Sequence, residues 1–347
     1  MSKKKVLLGM SGGVDSSVAA IILTKQGYEV TGATMKLWED ENEEIEGGCC
    51  SITSTYDAKR VCDSLGIPHY VLNFKKEFQK YVIDNFIDCY SSCKTPNPCI
   101  ECNRYLKFDS MYKKAQELGI PYIATGHYAK TEFSEEYNRY VLKKSDSIKK
   151  DQSYALYNIP KEIIGKVLFP LENYKSKEEI RQIAKEHHLN VANKPDSQEI
   201  CFIPDNDYIG FLETKAQLSA KAGNIVTSTG EILGTHEGLH RYTIGQRKGI
   251  GISNEEKLYV VKLDQGKNEL VVGKEEELFS KELYVEDINL LLFDEITTPI
   301  KVNAKIRYSA KEKGATLFPL QNGKMKVIFD EPERAITPRT SNCILHR

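Results

Sequence analysis

Residues 9–17, here called the glycine loop, constrain the fold of this chain more than any other stretch. They follow an apolar run at residues 6–8 and precede a segment with apolar residues at helical spacing. Glycines let a backbone approach an anion closely, and the following helix would direct free amides and its positive dipole end to the same place. This order of strand, loop and helix predicts a phosphate-binding site. Its residues are Gly9, Met10, Ser11, Gly12, Gly13, Val14, Asp15, Ser16 and Ser17.

The sequence of the loop excludes two common phosphate-binding motifs. No lysine follows the glycines as in a Walker loop, and Gly9, Gly12 and Gly13 have the wrong spacing for a dinucleotide fingerprint. The remaining pattern, S-G-G-x-D-S, resembles the signature of PP-loop ATP pyrophosphatases, which hold the pyrophosphate of ATP while a substrate oxygen attacks the α-phosphate. Asp15 suits this role because a carboxylate beside phosphates is tolerated when it shares a Mg²⁺ ion. We therefore expect ATP and Mg²⁺ as ligands, with hydroxyl donors from the serines of the loop.

The net charge of the chain does not indicate a nucleic-acid partner. The chain has 347 residues, and 48 basic against 49 acidic residues give a formal net charge of -1. RNA would therefore have to bind local patches. Residues 240–248 and 301–313 mix cations with aromatic residues, as phosphate contact and base stacking require. A solvated charged face is the alternative interpretation of each patch.

The compartment follows from the absence of apolar runs. No such run approaches ~20 residues, and residues 1–5 lead straight into the first strand, so we expect a cytoplasmic protein with no membrane contact. In a reducing compartment the nine cysteines are expected to be thiols that serve packing, metal binding or chemistry.

Strand and helix patterns alternate over the first half of the chain. The predicted strands cover residues 28–35, 70–73 and 122–126, and the predicted helices 58–65, 78–86 and 106–118, with a loop at 91–103. This alternation predicts an α/β domain with a doubly wound parallel sheet, in which ligands gather at the carboxyl ends of the strands. The glycine loop, Met35 and Gly126 all fall at such ends, so we expect them to contact one nucleotide.

Beyond residue 207 the pattern changes to short alternating segments with glycine turns. They predict a small central β-rich domain and then a C-terminal β-barrel, in which one strand is expected at residues 283–291. With a length that allows two or three domains, the expected boundaries are 1–206 for the ATP-binding catalytic domain, 207–277 for the central domain and 278–347 for the barrel.

The cysteines suggest where chemistry occurs. Cys99 and Cys102 form a C-x-x-C pair, which is typical of redox or metal chemistry, and Cys201 lies far along the chain. A zinc site is a third alternative and the least favoured, because it needs about four ligands and only one close C-x-x-C pair exists. Cys62 and Cys89 fall on apolar helix faces and are predicted to belong to the core.

A series of motifs, in a common order, resembles the tRNA-specific 2-thiouridylases (the MnmA/TrmU family) from the first strand to about residue 337. Besides the glycine loop, the motifs are Met35-Lys36-Leu37-Trp38, Cys49-Cys50-Ser51, Asn97-Pro98-Cys99, Gly126-His127-Tyr128-Ala129, Lys150-Asp151-Gln152-Ser153-Tyr154, Ile200-Cys201-Phe202-Ile203, Gly245-Gln246-Arg247-Lys248-Gly249 and Lys305-Ile306-Arg307-Tyr308. The resemblance implies a PP-loop domain, a central domain, a C-terminal β-barrel, and conversion of the wobble uridine of certain tRNAs to 2-thiouridine.

The resemblance also implies roles for single residues. The glycine loop, Met35 and Gly126 would bind ATP. Cys201 would receive sulfur as a persulfide from a relay protein fed by a cysteine desulfurase. Cys102 would attack this persulfide, leaving a disulfide with Cys201 or releasing sulfide. The residues expected to approach the target base are Asn97, Pro98 and Cys99, and those expected to touch tRNA elsewhere are Lys150, Asp151, Gln152, Arg307 and Tyr308.

Position 99 leaves two versions of this chemistry open. Some members carry an aspartate there, a candidate general acid or base, whereas this chain has Cys99. With Cys102 and Cys201 it would supply three ligands for a [4Fe-4S] cluster, as in related thiolases. Persulfide relay is the interpretation that we prefer. The rivals are another adenylating PP-loop enzyme and, in a different class, a non-catalytic tRNA-binding protein with a vestigial nucleotide site.

Two features depart from the family pattern. Members continue with a glycine and further strand residues where this chain has residues 339–347. We therefore expect an irregular tail and a barrel that lacks its closing strand and exposes an edge. Cys93 stands where the family more often has glycine, and no role is predicted for it.

Overall fold

The computed structural model describes residues 3–38, 52–147, 149–195, 200–203, 205–253, 256–337 and 343–345. The Cys49-Cys50-Ser51 motif lies outside these ranges. The chain divides into two parts. The α/β part comprises Met1–Ile83, Pro98–Asn206 and Asn289–Asp294, and the β-rich part comprises Asp84–Asn97, Asp207–Ile288 and Glu295–Arg347.

The helices and strands are named in chain order. The helices are α1 (Val14–Lys25), α2 (Ile52–Leu65), α3 (Lys75–Phe78), α4 (Asp84–Ser91), α5 (Pro98–Glu101), α6 (Met111–Glu117), α7 (Ser153–Leu156), α8 (Lys177–Glu186) and α9 (Tyr208–Gly210). The strands are β1 (Lys5–Gly9), β2 (Glu29–Lys36), β3 (His69–Asn73), β4 (Tyr122–Ala124), β5 (Lys130–Ser134), β6 (Arg139–Lys143), β7 (Val167–Leu168), β8 (Gly223–Thr227), β9 (Ile232–His236), β10 (Tyr259–Asp264), β11 (Glu269–Gly273), β12 (Phe279–Val285), β13 (Ile300–Lys305), β14 (Lys313–Pro319), β15 (Met325–Arg334) and β16 (Cys343–Leu345). Among the described helices, none combines the length and the apolar character needed to cross a bilayer.

The α/β part is built on a parallel sheet whose described strands run in the order β3-β2-β1-β4-β7. Val6, Leu7 and Leu8 on β1 are completely buried, as expected for a central strand whose two faces are both covered. Helix α1 is buried on nearly every side from Val14 to Leu23, which is typical of a helix enclosed in a core. The predicted doubly wound α/β fold is confirmed.

Strand register brings the predicted nucleotide-binding segments to one edge of this sheet. Leu8 on β1 lies opposite Ala124 on β4, so the glycine loop and the chain leading to Gly126 leave the sheet side by side. Gly9 lies opposite Ala33 on β2, and Met35 follows two residues later on that strand.

The loop predicted at residues 91–103 is wrong in its second half. Helix α5 begins at Pro98, and a π-helical segment, Cys102–Ser110, continues it into α6. Proline is favoured at the first position of a helix because its missing N–H would have no partner there, and asparagine is a favoured residue type just before it. The sequence Asn97-Pro98 therefore carried a helix signal, and it places Cys102 on a helix.

The β-rich part contains two sheets in its described residues. Strands of the central region form the order β10-β11-β8-β9, in which β11 and β8 are parallel and the other pairs antiparallel. The C-terminal strands form an antiparallel sheet in the order β12-β15-β14-β13-β16. Buried pairs such as Leu317 and Val327 give this second sheet an apolar face.

Two expectations for the C-terminal region are corrected. The tail is not irregular throughout, because β16 pairs with β13 with Ile344 opposite Ala304, and it covers the edge expected to be exposed. The strand predicted to reach residue 291 ends with β12. Asn289 instead donates from its side-chain amide to the carbonyl oxygens of Tyr157 (2.9 Å) and Ile159 (2.8 Å) in the α/β part.

Candidate active site

The backbone of the glycine loop requires glycine at its tightest point. Gly12 has a φ of +68°, and a Cβ atom there would collide with the carbonyl oxygen of Ser54 in α2. Gly13 precedes α1 in an extended conformation and has no side chain to cap the helix. The N-cap residue therefore leaves the first-turn amides to other acceptors, as an anion site at a helix N-terminus requires.

Gly126 packs directly on the first turn of α1. A Cβ atom at Gly126 would lie 2.7 Å from the amide nitrogen of Ser16 and 2.8 Å from the carbonyl carbon of Asp15. Any side chain would push the end of β4 away from the glycine loop. The structure therefore places Gly126 against the first turn of α1, and its contact with ATP stays a prediction.

Several predicted ligand contacts turn inward. Ser17 is fully buried and donates from its hydroxyl to the carbonyl oxygen of Gly13 (2.8 Å), and the buried Ser16 hydroxyl donates to the same oxygen (3.2 Å). Ser16 Oγ also accepts from the amide of Ser11 (3.2 Å), and the hydroxyl oxygen of Ser11 lies 3.2 Å from the same atom. The expectation of three hydroxyl donors for the ligand is therefore wrong for Ser17, which serves the helix N-terminus instead.

Three apolar residues of the predicted site belong to the core. Met10, Val14 and Met35 are 2%, 3% and 9% exposed. Met10 and Val14 can therefore offer a ligand only their backbone. Met35 lies near the carboxyl end of β2, the end of the sheet at which the glycine loop follows β1.

The carboxylate of Asp15 is held from two sides. Its Oδ1 accepts from the hydroxyl of Tyr128 (2.8 Å), and its Oδ2 forms a 2.5 Å ion pair with Nζ of Lys177. A carboxylate has about four acceptor sites, so these two contacts leave capacity for a metal ion shared with phosphates. The loop and Asp15 thus fit ATP with Mg²⁺.

Sequence reasoning missed Lys177. It occupies the first turn of α8, directly after the N-cap residue Ser176, whose hydroxyl oxygen accepts from the amide of Glu179 (3.3 Å). The positive end of the helix dipole disfavours a cation at that position. A lysine in a first turn is therefore a usable signal that a carboxylate from elsewhere compensates for it.

His127 lies next to Gly126 and is neutral. Its Nδ1 is 2.8 Å from the hydroxyl oxygen of Thr125, and its ring packs near those of Phe108 and Phe169. Burial, and secondarily the positive charge of Lys107, lower the pKa of His127 well below its usual value of 6.5. The site therefore keeps an uncharged imidazole at neutral pH.

Cys102 begins the π-helical segment and is 7% exposed. Its neighbour Asn103 donates from its side-chain amide to the carbonyl oxygen of Ala155 in α7 (2.8 Å), which fixes this helix end. The other side-chain atom, Asn103 Oδ1, is buried without a hydrogen-bond partner in the described part of the chain. An unsatisfied buried acceptor is unfavourable by about 1–3 kcal/mol. The polar groups beside Cys102 are thus incompletely satisfied in the protein alone.

The other two cysteines of the proposed chemistry lie in different settings. Cys201 is half-buried in a turn, and the adjoining Phe202 packs edge-on against Phe78 of α3, with ring centroids 5.7 Å apart. Cys99 is exposed in α5. Within the described residues, which include Cys99, Cys102 and Cys201, no three histidine, cysteine or carboxylate side chains are arranged to hold a metal ion.

The residues predicted to contact the target base, Asn97, Pro98 and Cys99, lie at the start of α5. Pro98 is buried and begins the helix, and Asn97 is half-buried just before it. A base contact from these residues stays a prediction.

Cys62, Cys89 and Cys93 lie in or next to helices of the described structure. Cys62 and Cys89 are buried, as predicted, and burial raises the pKa of the Cys62 thiol to about 12. Cys93 has a φ of +56° and follows α4, with its amide donating to the carbonyl oxygen of Tyr90 (3.1 Å). This is the left-handed position that ends many helices, so glycine suits it better than cysteine.

Two of the predicted tRNA contacts are engaged within the α/β part. Asp151 accepts from the amide of Ser145 (3.0 Å) and from the hydroxyl of Ser153 (2.6 Å). Gln152 exchanges two hydrogen bonds with the backbone of Tyr128, one from each amide, at 2.9 and 2.8 Å. Both residues therefore position loops beside the glycine loop, whatever else they contact.

The other predicted tRNA contacts differ in exposure. Lys150 is half-buried in the α/β part. In the β-rich part, Arg307 donates to the carbonyl oxygen of Arg334, whereas Tyr308 is 49% exposed with Nζ of Lys305 5.3 Å from its ring centroid. Tyr308 and Lys305 thus present an aromatic and cationic surface of the kind expected for RNA contact.

The patch at residues 240–248 is largely internal. His240 and Tyr242 are buried, and Arg241 forms a bidentate pair with Glu213 through Nε (2.8 Å) and Nη2 (3.0 Å). Residues 247–249 are exposed. Most of this patch therefore stabilises the central region, and only its end is available as a solvated face.

Known proteins match this chain over nearly its whole length. Residues 4–205 match a family model described as the tRNA methyl transferase HUP domain, residues 210–274 the tRNA methyl transferase PRC-barrel domain, and residues 280–340 the aminomethyltransferase beta-barrel domain. The chain is 54% identical over 344 residues to the tRNA-specific 2-thiouridylase MnmA of Acetivibrio thermocellus, which covers 98% of this chain and 96% of the relative. The proteins of the same name from Clostridium botulinum strain Alaska E43 and Clostridioides difficile are each 52% identical, covering 97% and 96% of this chain and 93% and 92% of those relatives.

Proposed function

The chain belongs to the family of tRNA-specific 2-thiouridylases, and on that premise we propose that it replaces the C2 oxygen of the wobble uridine in tRNA with sulfur, using ATP. The observation that carries this proposal is the pairing of two features in one α/β part. Gly12 packs on Ser54 of α2 and Gly126 packs on the first turn of α1, so closely that neither position admits a side chain. Cys102 and Cys201 lie in the same part of the chain.

The first step activates a poor leaving group. The uridine C2 oxygen attacks the α-phosphorus of ATP, and the bond to pyrophosphate breaks. The amides at the start of α1 would bind the leaving pyrophosphate, whose charge the helix dipole stabilises. Asp15, held by Tyr128 and Lys177, would share Mg²⁺ with the phosphates.

The second step delivers sulfur. Cys201 would carry a persulfide received from a relay protein or a cysteine desulfurase. Its terminal sulfur forms a bond to C2, and the C2–oxygen bond breaks as AMP leaves. The thiolate of Cys102 attacks the Cys201 sulfur, which leaves 2-thiouridine and a disulfide between the two cysteines, and a thiol reductant restores both thiols. Release of sulfide by the same attack, before C2 is reached, is the variant of this route.

We prefer persulfide relay to a [4Fe-4S] cluster on Cys99, Cys102 and Cys201. The preference rests on ligand positions, since these three thiols are not arranged as a metal-binding group in the described structure. Anaerobic purification followed by iron analysis tests it. Active protein without iron supports the relay, and activity that follows iron content supports the cluster.

The decisive experiment follows nucleoside products. Protein, ATP, Mg²⁺ and unmodified tRNA are incubated with cysteine and a cysteine desulfurase, and the digested tRNA is analysed by mass spectrometry. We expect 2-thiouridine from the unaltered protein and its loss in Cys102→Ser and Cys201→Ser, both of which should still bind ATP. Cys93→Gly is the matched control and should form product normally. Failure of the unaltered protein to form 2-thiouridine, or product formation by both serine variants, would refute the proposal.

The tRNA wobble uridine, ATP, Mg²⁺ and a sulfur-relay partner are therefore the substrates, cofactor and partner that we propose, and a cytoplasmic location accords with them.

A further inference from the structure

Lys194 is far from the glycine loop in the sequence, but its side chain contacts the loop. Its Nζ donates to the carbonyl oxygen of Gly12 (3.2 Å), to the hydroxyl oxygen of Ser54 (3.3 Å) and to Oδ2 of Asp57 (2.8 Å). One ammonium group therefore uses three donors on three different partners. Two of these partners lie on α2, and the third is the backbone of the loop itself.

The contact with Gly12 fixes the orientation of one peptide group. In a trans peptide, the carbonyl of one residue and the N–H of the next point in opposite directions. Because Lys194 binds the Gly12 carbonyl oxygen, the N–H of Gly13 is directed to the side of the peptide away from Lys194. A charge-assisted hydrogen bond of this kind is about twice as strong as a neutral one, so it resists a flip of the peptide.

The same contact holds the loop against α2. Gly12 already packs on the carbonyl of Ser54 with no space for a Cβ atom, and the ion pair with Asp57 keeps the ammonium at this junction. The side chains of Lys194 and Asp57 are only 29% and 16% exposed, so water screens their interaction less than at the surface. Glycine flexibility at position 12 is thus restrained by a residue 182 positions away.

We propose that Lys194 is a positioning residue for nucleotide binding, which presents the Gly13 N–H to the pyrophosphate of ATP by holding the Gly12 carbonyl from behind. This inference rests on the proposed function in one respect, that the occupant of the glycine loop is ATP. Asp57 assists by fixing the ammonium, and neither side chain is required to touch the nucleotide.

The test measures nucleotide affinity by isothermal titration calorimetry with ATP and Mg²⁺, in the absence of tRNA. Lys194→Met removes all three donors and should weaken ATP binding by about 10- to 100-fold, the equivalent of one lost hydrogen bond to a charged group. Lys194→Arg keeps the charge and donors and should recover most of the affinity. Asp57→Asn keeps an acceptor for Lys194 and should have a smaller effect than Lys194→Met.

A matched control separates positioning from general stability. Lys59→Met removes an ion pair with Asp63 (3.5 Å) on the exposed side of the same helix, α2, and should leave ATP affinity unchanged. In thiolation assays Lys194→Met should raise the KM for ATP far more than it lowers kcat at saturating ATP. A purely structural role would lower the apparent kcat through loss of folded protein and leave the KM for ATP unchanged.

Several outcomes would overturn the proposal. ATP affinity of Lys194→Met within about twofold of the unaltered protein would do so, as would equal losses in Lys194→Met and Lys59→Met. If Lys194→Met does not fold, a folded Lys194→Arg variant whose ATP affinity is about 10-fold or more below that of the unaltered protein refutes the role of the donors. Since affinity is read without tRNA, the proposed function fails separately, by normal ATP binding with no 2-thiouridine formed.

Discussion

The glycine loop and the surface around Tyr308 meet their proposed ligands in different ways. Gly12 in the loop and Gly126 beside it approach neighbouring backbone with no space for a side chain, and Asp15 is fixed by partners more than a hundred residues away. Tyr308, by contrast, is 49% exposed and has Lys305 beside its ring. Binding a pyrophosphate for reaction requires one backbone geometry, whereas meeting an RNA surface requires only charge and aromatic area. Single substitutions should therefore have large effects in the first region and small effects in the second.

The largest expected effect follows from adding one carbon to the loop. Gly12→Ala must place a side chain at a φ of +68° and against the Ser54 carbonyl, so we expect ATP affinity to fall by at least about 100-fold. Calorimetry with ATP and Mg²⁺ measures this, and tRNA affinity should stay within error. Gly27→Ala is the control, because Gly27 has a φ of +84° but a Cβ atom there would meet nothing within 4 Å. It should lower stability by about 1 kcal/mol and leave ATP binding intact. Similar losses of affinity in both variants would contradict the steric argument.

A smaller effect concerns pH. The unfolded chain protonates His127 near its usual pKa of 6.5, whereas the folded protein keeps it neutral because burial lowers its pKa. Below pH 6.5 the unfolded state therefore binds more protons, and the free energy of unfolding decreases as pH falls. The contribution has a slope of at most about 1.4 kcal/mol per pH unit and ends where the folded-state pKa is reached.

Urea unfolding of the unaltered protein and of His127→Gln between pH 7.5 and about 5.5 isolates this contribution. The variant should lose less stability than the unaltered protein over that interval, whatever its stability at the upper end. Parallel pH profiles would mean that His127 becomes charged in the folded state.

The fold of the α/β part was readable because its signals are local. Apolar spacing locates β1 and α1, and the glycines between them predict a phosphate-binding loop. The same kind of signal is present at Asn97-Pro98, which favours a helix start within the segment predicted to be a loop.

The supports of the loop were not readable in this way. Lys177, Lys194 and Tyr128 contact the loop from positions more than a hundred residues along the chain, and no periodicity links them to it. The strand β16 shows the same limit, because its pairing with β13 depends on an edge that exists only in the folded sheet. Sequence therefore predicts which residues face a ligand better than it predicts which residues hold them there.

The smallest expected effect lies at the exposed surface of the β-rich part. Tyr308→Ala should weaken tRNA binding by about three- to fivefold, because one exposed aromatic contact is lost and the cation stays in place. Filter binding or fluorescence anisotropy measures this over a range of salt concentrations. The slope of the logarithm of the binding constant against the logarithm of the salt concentration should be unchanged in Tyr308→Ala. In Lys305→Ala the magnitude of this slope should decrease by about one, because only this substitution removes a phosphate contact.

Tyr284 provides the matched control for this last prediction. It is 66% exposed on β12, and Nζ of Lys326, which also pairs with Glu282 (2.8 Å), lies 5.9 Å from its ring centroid, so it is a similar exposed aromatic residue beside a lysine in the same part. Tyr284→Ala should leave tRNA affinity unchanged if position, and not composition, makes the surface around Tyr308 a contact. Equal weakening in both variants would mean that tRNA affinity depends on the total number of exposed aromatic and basic groups. The glycine loop and the surface around Tyr308 would then differ in how specifically they bind a ligand as well as in the size of the effect of a substitution.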